Sequence, residues 1–465
     1  MVRRAGRRRR RVLPWVAGAT VLVLLGGGFA AYATGRLDYW FGHREAPPGL
    51  STPVPGFTGP SVAPPTPVAR PAPPGRGSAA VVRRVLAPAM KDPHLFDLRA
   101  VVAPLGGDPV LDTGHGTSTP ASTMKLLTTT AALEVLGPDH RFTTSVVRAG
   151  RGRIVLVGGG DPYLAGKQPT QGVARADASL QQLARLTAAK LTSRRPVRLS
   201  YDTSLFTGPR VNTHWPKDYI PDVVSPITAL WADEGHDPSG YGRVADPAGS
   251  AAAQFASYLR AAGAKVAPGI TEARARPQAS EVAEVSSQPL ADIVERVLQD
   301  SDNEGAEVLG HQVGLATTGD ASYAGGARGV RSTLTGLGID LDKATIQDGS
   351  GLSRGDRLDA ETLVQVLQLA ASRDRPELRS VVSGLPIAGY DGTLGYRFDD
   401  SPGRGYVRAK TGTLTGTSAL AGITTDARGR AWVFAFVSNH VPYALGLDVR
   451  ASLDRLTAAL ATCRC

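Results

Sequence analysis

From Ala46 to about Arg76 the chain is dominated by proline, glycine, serine and threonine, a composition that cannot bury enough apolar surface to fold and tends to stay extended. This stretch reads as a stalk, and it confines any folded body to the residues from about Ala79 onward. Ahead of it lies an apolar segment from Val12 to Ala33, broken only by Pro14 and small residues. As a helix, its 22 residues reach about 33 Å, enough to span a bilayer. Arg3, Arg4 and Arg7 to Arg11 precede it, and arginines before an apolar segment hold the N-terminus in the cytoplasm. The body is therefore expected outside the cytoplasm, on a cell-membrane protein of single-pass topology. An uncleaved anchor is favoured because the apolar run is long for a signal core. The small-x-small form of Ala31-Tyr32-Ala33 leaves open a cleaved signal and a secreted body. A twin-arginine export signal at Arg3-Arg4 is the weaker reading among so many arginines.

The formal charge of +11 suggests a nucleic-acid partner until it is located: seven of those charges fall in the first eleven residues, and the remainder carries about +4. No basic stripe with interleaved aromatics remains in the body, which argues against nucleic-acid binding. The two cysteines, Cys463 and Cys465, sit at the extreme C-terminus, so no internal disulfide framework or cysteine metal site is available. They read as an exposed tail thiol pair or a strained local disulfide. The eight histidines show no ligand spacing such as H-E-x-x-H. No metal and no cofactor are expected.

Within the body, helical periodicity runs from Val82 to Met90, and a sharper helix is expected from Pro120 to Leu136. Ser118 or Thr119 can cap that second helix, Pro120 suits its first turn, and Gly137-Pro138 closes it. From about Arg141 to Val285, short strand-like runs such as Arg153 to Val157 mix with helical stretches like Ala252 to Ala262. Helices return around Leu290 to Leu298 and Glu304 to Val313. Tyr406 to Ala409, Ala419 to Thr425 and Ala431 to Ser438 read as consecutive antiparallel strands, and a helix from Leu445 to Ala461 finishes the chain. This pattern divides the chain into a basic segment (1–11), the apolar segment (12–33), a linker (34–78), the first part of a main domain (79–145), an inserted domain (146–285) and the second part of the main domain (286–465).

Chemistry enters at Ser122 and Lys125. Three apart near the start of a helix, they project from one face of it, so a proton can pass between them. The helix N-terminus adds unpaired N–H groups and partial positive charge where an oxyanion would form if Ser122 attacked a carbonyl. A lysine serves as base only if burial or a nearby cation makes its neutral form accessible, and Lys410 is a candidate for that cation. Ser301-Asp302-Asn303 opens a later helix, and Lys410-Thr411-Gly412-Thr413 lies in the first of the terminal strands. Singly each reads as a cap or a strand end. Together, in this order, they form the triple motif of penicillin-binding proteins and class A β-lactamases.

With Pro120 to Lys125, Gly159-Gly160-Asp161-Pro162, Val224-Ser225-Pro226, Asp246-Pro247-Ala248, Ala306-Glu307 and Asp348 to Arg354 in the same order, the body closely resembles the D-alanyl-D-alanine carboxypeptidase/endopeptidase family. These are the class C low-molecular-mass penicillin-binding proteins. The resemblance covers roughly Ala79 to Leu460, and the insertion between Lys125 and Ser301 is shorter than in the large members, leaving room for one extra domain. It implies an α/β fold of the α+β type: a β-lactamase/transpeptidase-like domain with a central antiparallel sheet flanked by helices. It also implies that Ser122 is acylated with Lys125 as base, that Ser301 relays the proton to the leaving amine, and that Asn303 holds the substrate amide and Lys125. Lys410, Thr411, Gly412 and Thr413 would line the opposite wall, where the terminal carboxylate binds, and the N–H groups of Ser122 and Thr413 would form the oxyanion hole. Arg354 would meet a charged group of the stem peptide or, alternatively, an internal partner such as Asp348 or Asp356. Asp161 would meet the stem's amine or simply shape a tight turn. The implied partners are peptidoglycan stem peptides and, as covalent inhibitors, β-lactams. A β-lactamase or esterase on the same scaffold, and an inactive wall-binding scaffold, are the alternatives.

Overall fold

Two ends of the chain meet in one sheet. The computed structural model describes residues 78–114, 116–167, 178–191, 195–237 and 241–465, so the basic segment, the apolar segment and all but the last residue of the linker lie outside the described residues. Helix α1 (Ala79–Met90) leads into β1 (Leu98–Pro104) and β2 (Leu111–Asp112), and a 3-10 turn, Ala121–Thr123, runs into α2 (Met124–Leu136). A second group comes next: β3 (Thr143–Arg148), β4 (Arg153–Val157), α3 (Leu180–Lys190), β5 (Arg198–Asp202), α4 (Pro247–Ala261), β6 (Thr271–Glu272) and β7 (Glu281–Ser286). Then come α5 (Leu290–Asp300), α6 (Asn303–Thr318), α7 (Tyr323–Gly336), α8 (Ala360–Ala370) and α9 (Arg379–Ser383). Three strands, β8 (Val407–Leu414), β9 (Thr417–Thr425) and β10 (Ala431–Asn439), precede the last helix, α10 (Gly446–Thr462).

The main sheet has the order β2-β1-β10-β9-β8 and is antiparallel throughout. Side chains alternate across a strand, and here both faces are covered, which is why β10 reads as a continuous apolar run. Val433, Ala435 and Val437 pack into the layer containing α2, α5, α6 and α8. Trp432, Phe434 and Phe436 pack on the other side against Val82 and Leu86 of α1 and Val449, Leu453 and Leu456 of α10. The second sheet, β6-β5-β4-β3-β7, is mixed: β4, β5 and β6 run parallel, while β3 pairs antiparallel with β4 and β7. Helices α3 and α4 close its core. The chain between β5 and α4 returns to the main body, where Trp215, Val224, Ile227 and Trp231 pack against Val308, Tyr323 and Leu352.

Two local expectations are corrected. The helix that carries Ser122 begins as a 3-10 turn, because Ala121 takes a left-handed φ of 47° that an α-helix does not accommodate. Neither Ser118 nor Thr119 caps it: Ser118 Oγ accepts from Asn439 Nδ2 at 2.9 Å and Thr119 Oγ1 accepts from Arg357 at 3.0 Å. The C-terminal end is as read, with Gly137 closing α2 at φ 84°. Of the two readings of Cys463 and Cys465, the local disulfide is the one found, and both residues are buried, not exposed. The carbonyls of Cys463 and Cys465 accept from Ala427 N and Ser78 N, which draws the tail onto the body.

Trp432 is fully buried and its Nε1 donates to Asp426 Oδ2 at 3.0 Å. Trp432→Ala is expected to cost about 3–5 kcal/mol, read as a lowered urea midpoint for the 78–465 body.

Candidate active site

The 3-10 turn places Ser122 and Lys125 so that Lys125 Nζ lies 3.0 Å from Ser122 Oγ. Lys125 has no solvent exposure. Its Nζ also donates to Asn303 Oδ1 and to the Ser350 carbonyl, both at 2.8 Å. A neutral amine keeps two N–H donors and one lone pair, so it can retain Asn303 and Ser350 while presenting the lone pair to Ser122. Burial lowers the Lys125 pKa from 10.5 to about 8, against the opposing charges of Asp302, Glu307, Asp348 and Glu304. The turn itself is wedged from behind: a Cβ on Gly351, which sits at φ 82°, would overlap the Ala121 carbonyl.

Asn303 opens α6, and Ser301 occupies the left-handed position, φ 59°, that ends α5. This sharp reversal presents the Ser-Asp-Asn turn to a cavity of about 260 Å³ that Ser301, Asp302, Asn303, Glu234, Arg243 and Arg296 help to line. Tethers from the segment between β4 and α4, and from α5, fix the turn. Tyr163 Oη donates to Asp302 Oδ2 at 2.7 Å, and the Arg296 guanidinium lies 3.6 Å over the Tyr163 ring while pairing with Glu234 at 2.9 Å. Arg243 pairs with Glu304 at 2.6 Å, and Ser225 N donates to the same Glu304 oxygen at 3.0 Å. Glu234, Asp302 and Glu304 are the one carboxylate cluster among the described residues whose oxygens lie within 4.8 Å of one another, and each is engaged by these partners. Burial and Asp302 push Glu234 up to about 8 despite Arg296.

The opposite wall is β8. Alternation turns Lys410 and Gly412 toward α2, away from the face on which Val407 and Ala409 pack. Lys410 is fully buried and donates to the Thr411 carbonyl at 3.1 Å; burial, and then the charge of Lys125, hold its pKa well below the usual lysine range. Thr411 Oγ1 donates to Thr393 Oγ1 at 3.0 Å, and Thr413 is exposed. Gly412 permits the close approach of strand and turn: a Cβ there would lie 2.7 Å from the Pro120 carbonyl oxygen.

The remaining sequence-derived candidates are Arg354 and Asp161. Arg354 is exposed, and among the described residues it pairs with neither Asp348 nor Asp356. Asp348 instead accepts from Gly351 N, Ser353 N and Trp215 Nε1, and Asp356 from Gln347 N. Asp161 is 4% exposed, its Oδ1 accepts from Tyr163 N at 2.9 Å, and its carbonyl accepts from Trp231. It therefore shapes the turn after β4. Sequence reading missed Tyr163, Arg243 and Arg296 as tethers. It also missed the Ser350 carbonyl as an acceptor for Lys125, although Ser350 lies inside a segment that the reading singled out.

A buried lysine sharing a hydrogen bond with a serine at the start of a helix, walled by a Lys-Thr-Gly strand, defines an active-site-serine acyl-transfer enzyme. The fold agrees: penicillin binding protein 4 (DacB) of Haemophilus influenzae superposes with a TM-score of 0.67 at 22% identity, over 83% of this chain and 98% of that one. Residues 83–240 and 237–460 match the D-Ala-D-Ala carboxypeptidase 3 (S13) family, and the chain belongs to it. Carboxypeptidase DacB of Mycolicibacterium smegmatis is 35% identical over 98% of both chains, and a carboxypeptidase of Mycobacterium tuberculosis is 38% identical over 74% of this chain and 76% of its own.

Gly412→Ala is expected to push β8 off the serine turn, because its Cβ would meet the Pro120 carbonyl oxygen at 2.7 Å; it should lower the melting temperature and slow acylation by a β-lactam about 10²-fold, the scale on which a displaced oxyanion donor acts. Stopped-flow competition with a fluorescent penicillin reads the rate.

Proposed function

We propose that this chain is a serine D,D-peptidase that cleaves the D-alanyl-D-alanine bond of peptidoglycan stem peptides through an acyl-enzyme, and that β-lactams acylate the same serine. The observation that carries this reading is the 3.0 Å contact between Lys125 Nζ and Ser122 Oγ inside a site where the lysine is wholly buried. Neutral Lys125 takes the Ser122 proton as Oγ adds to the carbonyl of the penultimate D-alanine. The N–H groups of Ser122 and Thr413 receive the oxyanion. Collapse of the tetrahedral intermediate breaks the peptide bond, and Ser301 relays the proton to the departing D-alanine amine. Water then hydrolyses the ester and frees Ser122. Asn303 holds the substrate amide, Lys410 with Thr411 and Thr413 faces the terminal carboxylate, and exposed Arg354 meets a charged group of the stem. Removal of a terminal residue and cleavage of a cross-link call on the same groups.

The substrate lies outside the cytoplasm, and the arginine run ahead of Val12 to Ala33 supports a body tethered on that side of the cell membrane through the stalk. β-Lactamase chemistry on the same scaffold differs only in fast deacylation, so the test is intact mass after brief exposure to benzylpenicillin. A persistent adduct on the wild-type protein that is absent from Ser122→Ala supports the peptidase. Rapid penicillin turnover without an adduct overturns it in favour of a β-lactamase.

The base works only when deprotonated, so acylation is limited at low pH and rises as Lys125 loses its proton. The second-order acylation rate should climb about tenfold per pH unit below the lysine's pKa of about 8 and level off above it. A profile flat from pH 6 to 9 would remove Lys125 from the role of base.

A further inference from the structure

Around Lys125 lie buried carboxyl groups that the reaction does not use. Glu307, one turn along α6 from Asn303, is 1% exposed. Its Oε1 accepts from Ser350 N at 2.8 Å, and its two oxygens share the Gly349 N–H at 3.2 and 3.1 Å. The Ser350 carbonyl is in turn an acceptor for Lys125 Nζ, at 2.8 Å. Gly349 can approach this closely only without a side chain, since a Cβ there would lie 2.8 Å from the Ala306 carbonyl oxygen. Thr128 Oγ1 on α2 donates to the Gly349 carbonyl at 2.7 Å, so the loop is gripped from two helices at once. The void beside Glu307 is only about 10 Å³, room for one water at most, so its hydrogen bonds are to protein.

We propose that Glu307 is a positioning residue for the base: by holding the N–H groups of Gly349 and Ser350 it fixes the Ser350 carbonyl, and that carbonyl holds Lys125 in line with Ser122. The inference rests on the reading of Ser122 and Lys125 as nucleophile and base, and it assigns to the Asp348–Ser353 segment a mechanical task. Two acceptors, Asn303 Oδ1 from α6 and Ser350 O from the loop, aim the amine, and Glu307 sits on the helix that supplies the first while gripping the loop that supplies the second.

The charge of Glu307 also acts on Lys125. The groups around it are Lys125 on α2, Asp348 and Asp356 on the loop, Tyr323 on α7, and Asp302, Glu304 and His311 from its own helix and the turn before it. Burial and the charge of Asp348 push Asp356 well up. His311 is held down to about 4 by burial, is neutral, and donates Nδ1–H to the Glu307 carbonyl at 2.9 Å. Burial and Asp348 push Glu307 up to about 8, while the Ser350 and Gly349 donors favour its ionised form. Lys125, to which Asp302, Glu307, Asp348 and Glu304 lend negative charge, thus keeps its proton more firmly than burial alone would allow.

Glu307→Gln separates this from a merely structural role, because it keeps an oxygen acceptor and the side-chain length but removes the charge. The pH profile of Ser122 acylation by benzylpenicillin is measured for wild type, Glu307→Gln and Glu307→Asp, with thermal melts of all three. For Glu307→Gln we expect an acylation rate on the plateau about 10- to 100-fold below wild type, as a base displaced by a fraction of an ångström would give. Its rising limb should move to lower pH, because the negative charge that Glu307 gains as it ionises near pH 8 no longer holds the proton on Lys125. Glu307→Asp keeps the charge but shortens the reach to the two N–H groups, so it should lose rate while keeping the wild-type limb. A wild-type rate and limb in Glu307→Gln would overturn the proposal, as would a lowered melting temperature with the limb unmoved. If the wild-type protein itself forms no adduct at Ser122, it is the assignment of nucleophile and base that fails, a result distinct from either of these.

Discussion

Taking a lysine ammonium out of water without compensation costs several kcal/mol, and this protein does so twice within one site. Lys125 and Lys410 are both without solvent exposure. The surroundings of Lys125 answer that cost, whereas Lys410, with the Thr411 carbonyl as acceptor and Lys125 nearby, is held well below the usual lysine range. Three acceptors converge on Lys125, the carboxylates of α6 and the loop supply opposing charge, and the helices that bring them are packed on one face of the main sheet. A base whose neutral form lies within reach of neutral pH is the outcome of this balance: burial lowers the proton affinity, and the surrounding carboxylates keep it from falling further.

The segment between β4 and α4 belongs to that balance as well. Tyr163, Glu234, Arg243 and Ser225 reach the Ser-Asp-Asn turn, and Trp215 reaches Asp348. Arg243 and Glu304 are both largely buried, so breaking that pair from one side would strand a charge. That segment therefore helps to fix the Ser-Asp-Asn wall of the site.

How much of this was legible in the sequence depends on the range of each interaction. Ser122 and Lys125 are three residues apart, so local helical geometry sufficed to pair them. The three terminal strands were legible as consecutive antiparallel strands from their short apolar runs. Asn303 and Lys410 came through a motif, not through any pattern that predicts a contact 178 residues away, the separation of Lys125 and Asn303. What could not be read has no side-chain signature or depends on tertiary packing. The Ser350 carbonyl is a backbone group that any residue would supply. The left-handed Ala121, with Gly351 packed against its carbonyl, is a backbone feature that no residue type there announces. The tethers from Tyr163, Arg243 and Arg296 join segments whose proximity only the fold creates, and the parallel order of β4, β5 and β6 is likewise a matter of topology.

The pairing of β1 with β10 also sets when the molecule can come into being. Ser438 donates to the Phe96 carbonyl across 342 residues, and β8 reaches the serine turn only as an edge of the sheet that β10 joins to β1. Until the last strand has been delivered, the first strand has no neighbour on that side, and the wall opposite Ser122 does not exist. A chain threaded through a membrane from its N-terminal side, as the proposed tether requires, can complete such a core only after nearly all of it has crossed. The nucleophile and its base would then be assembled late, beyond the membrane and not before it.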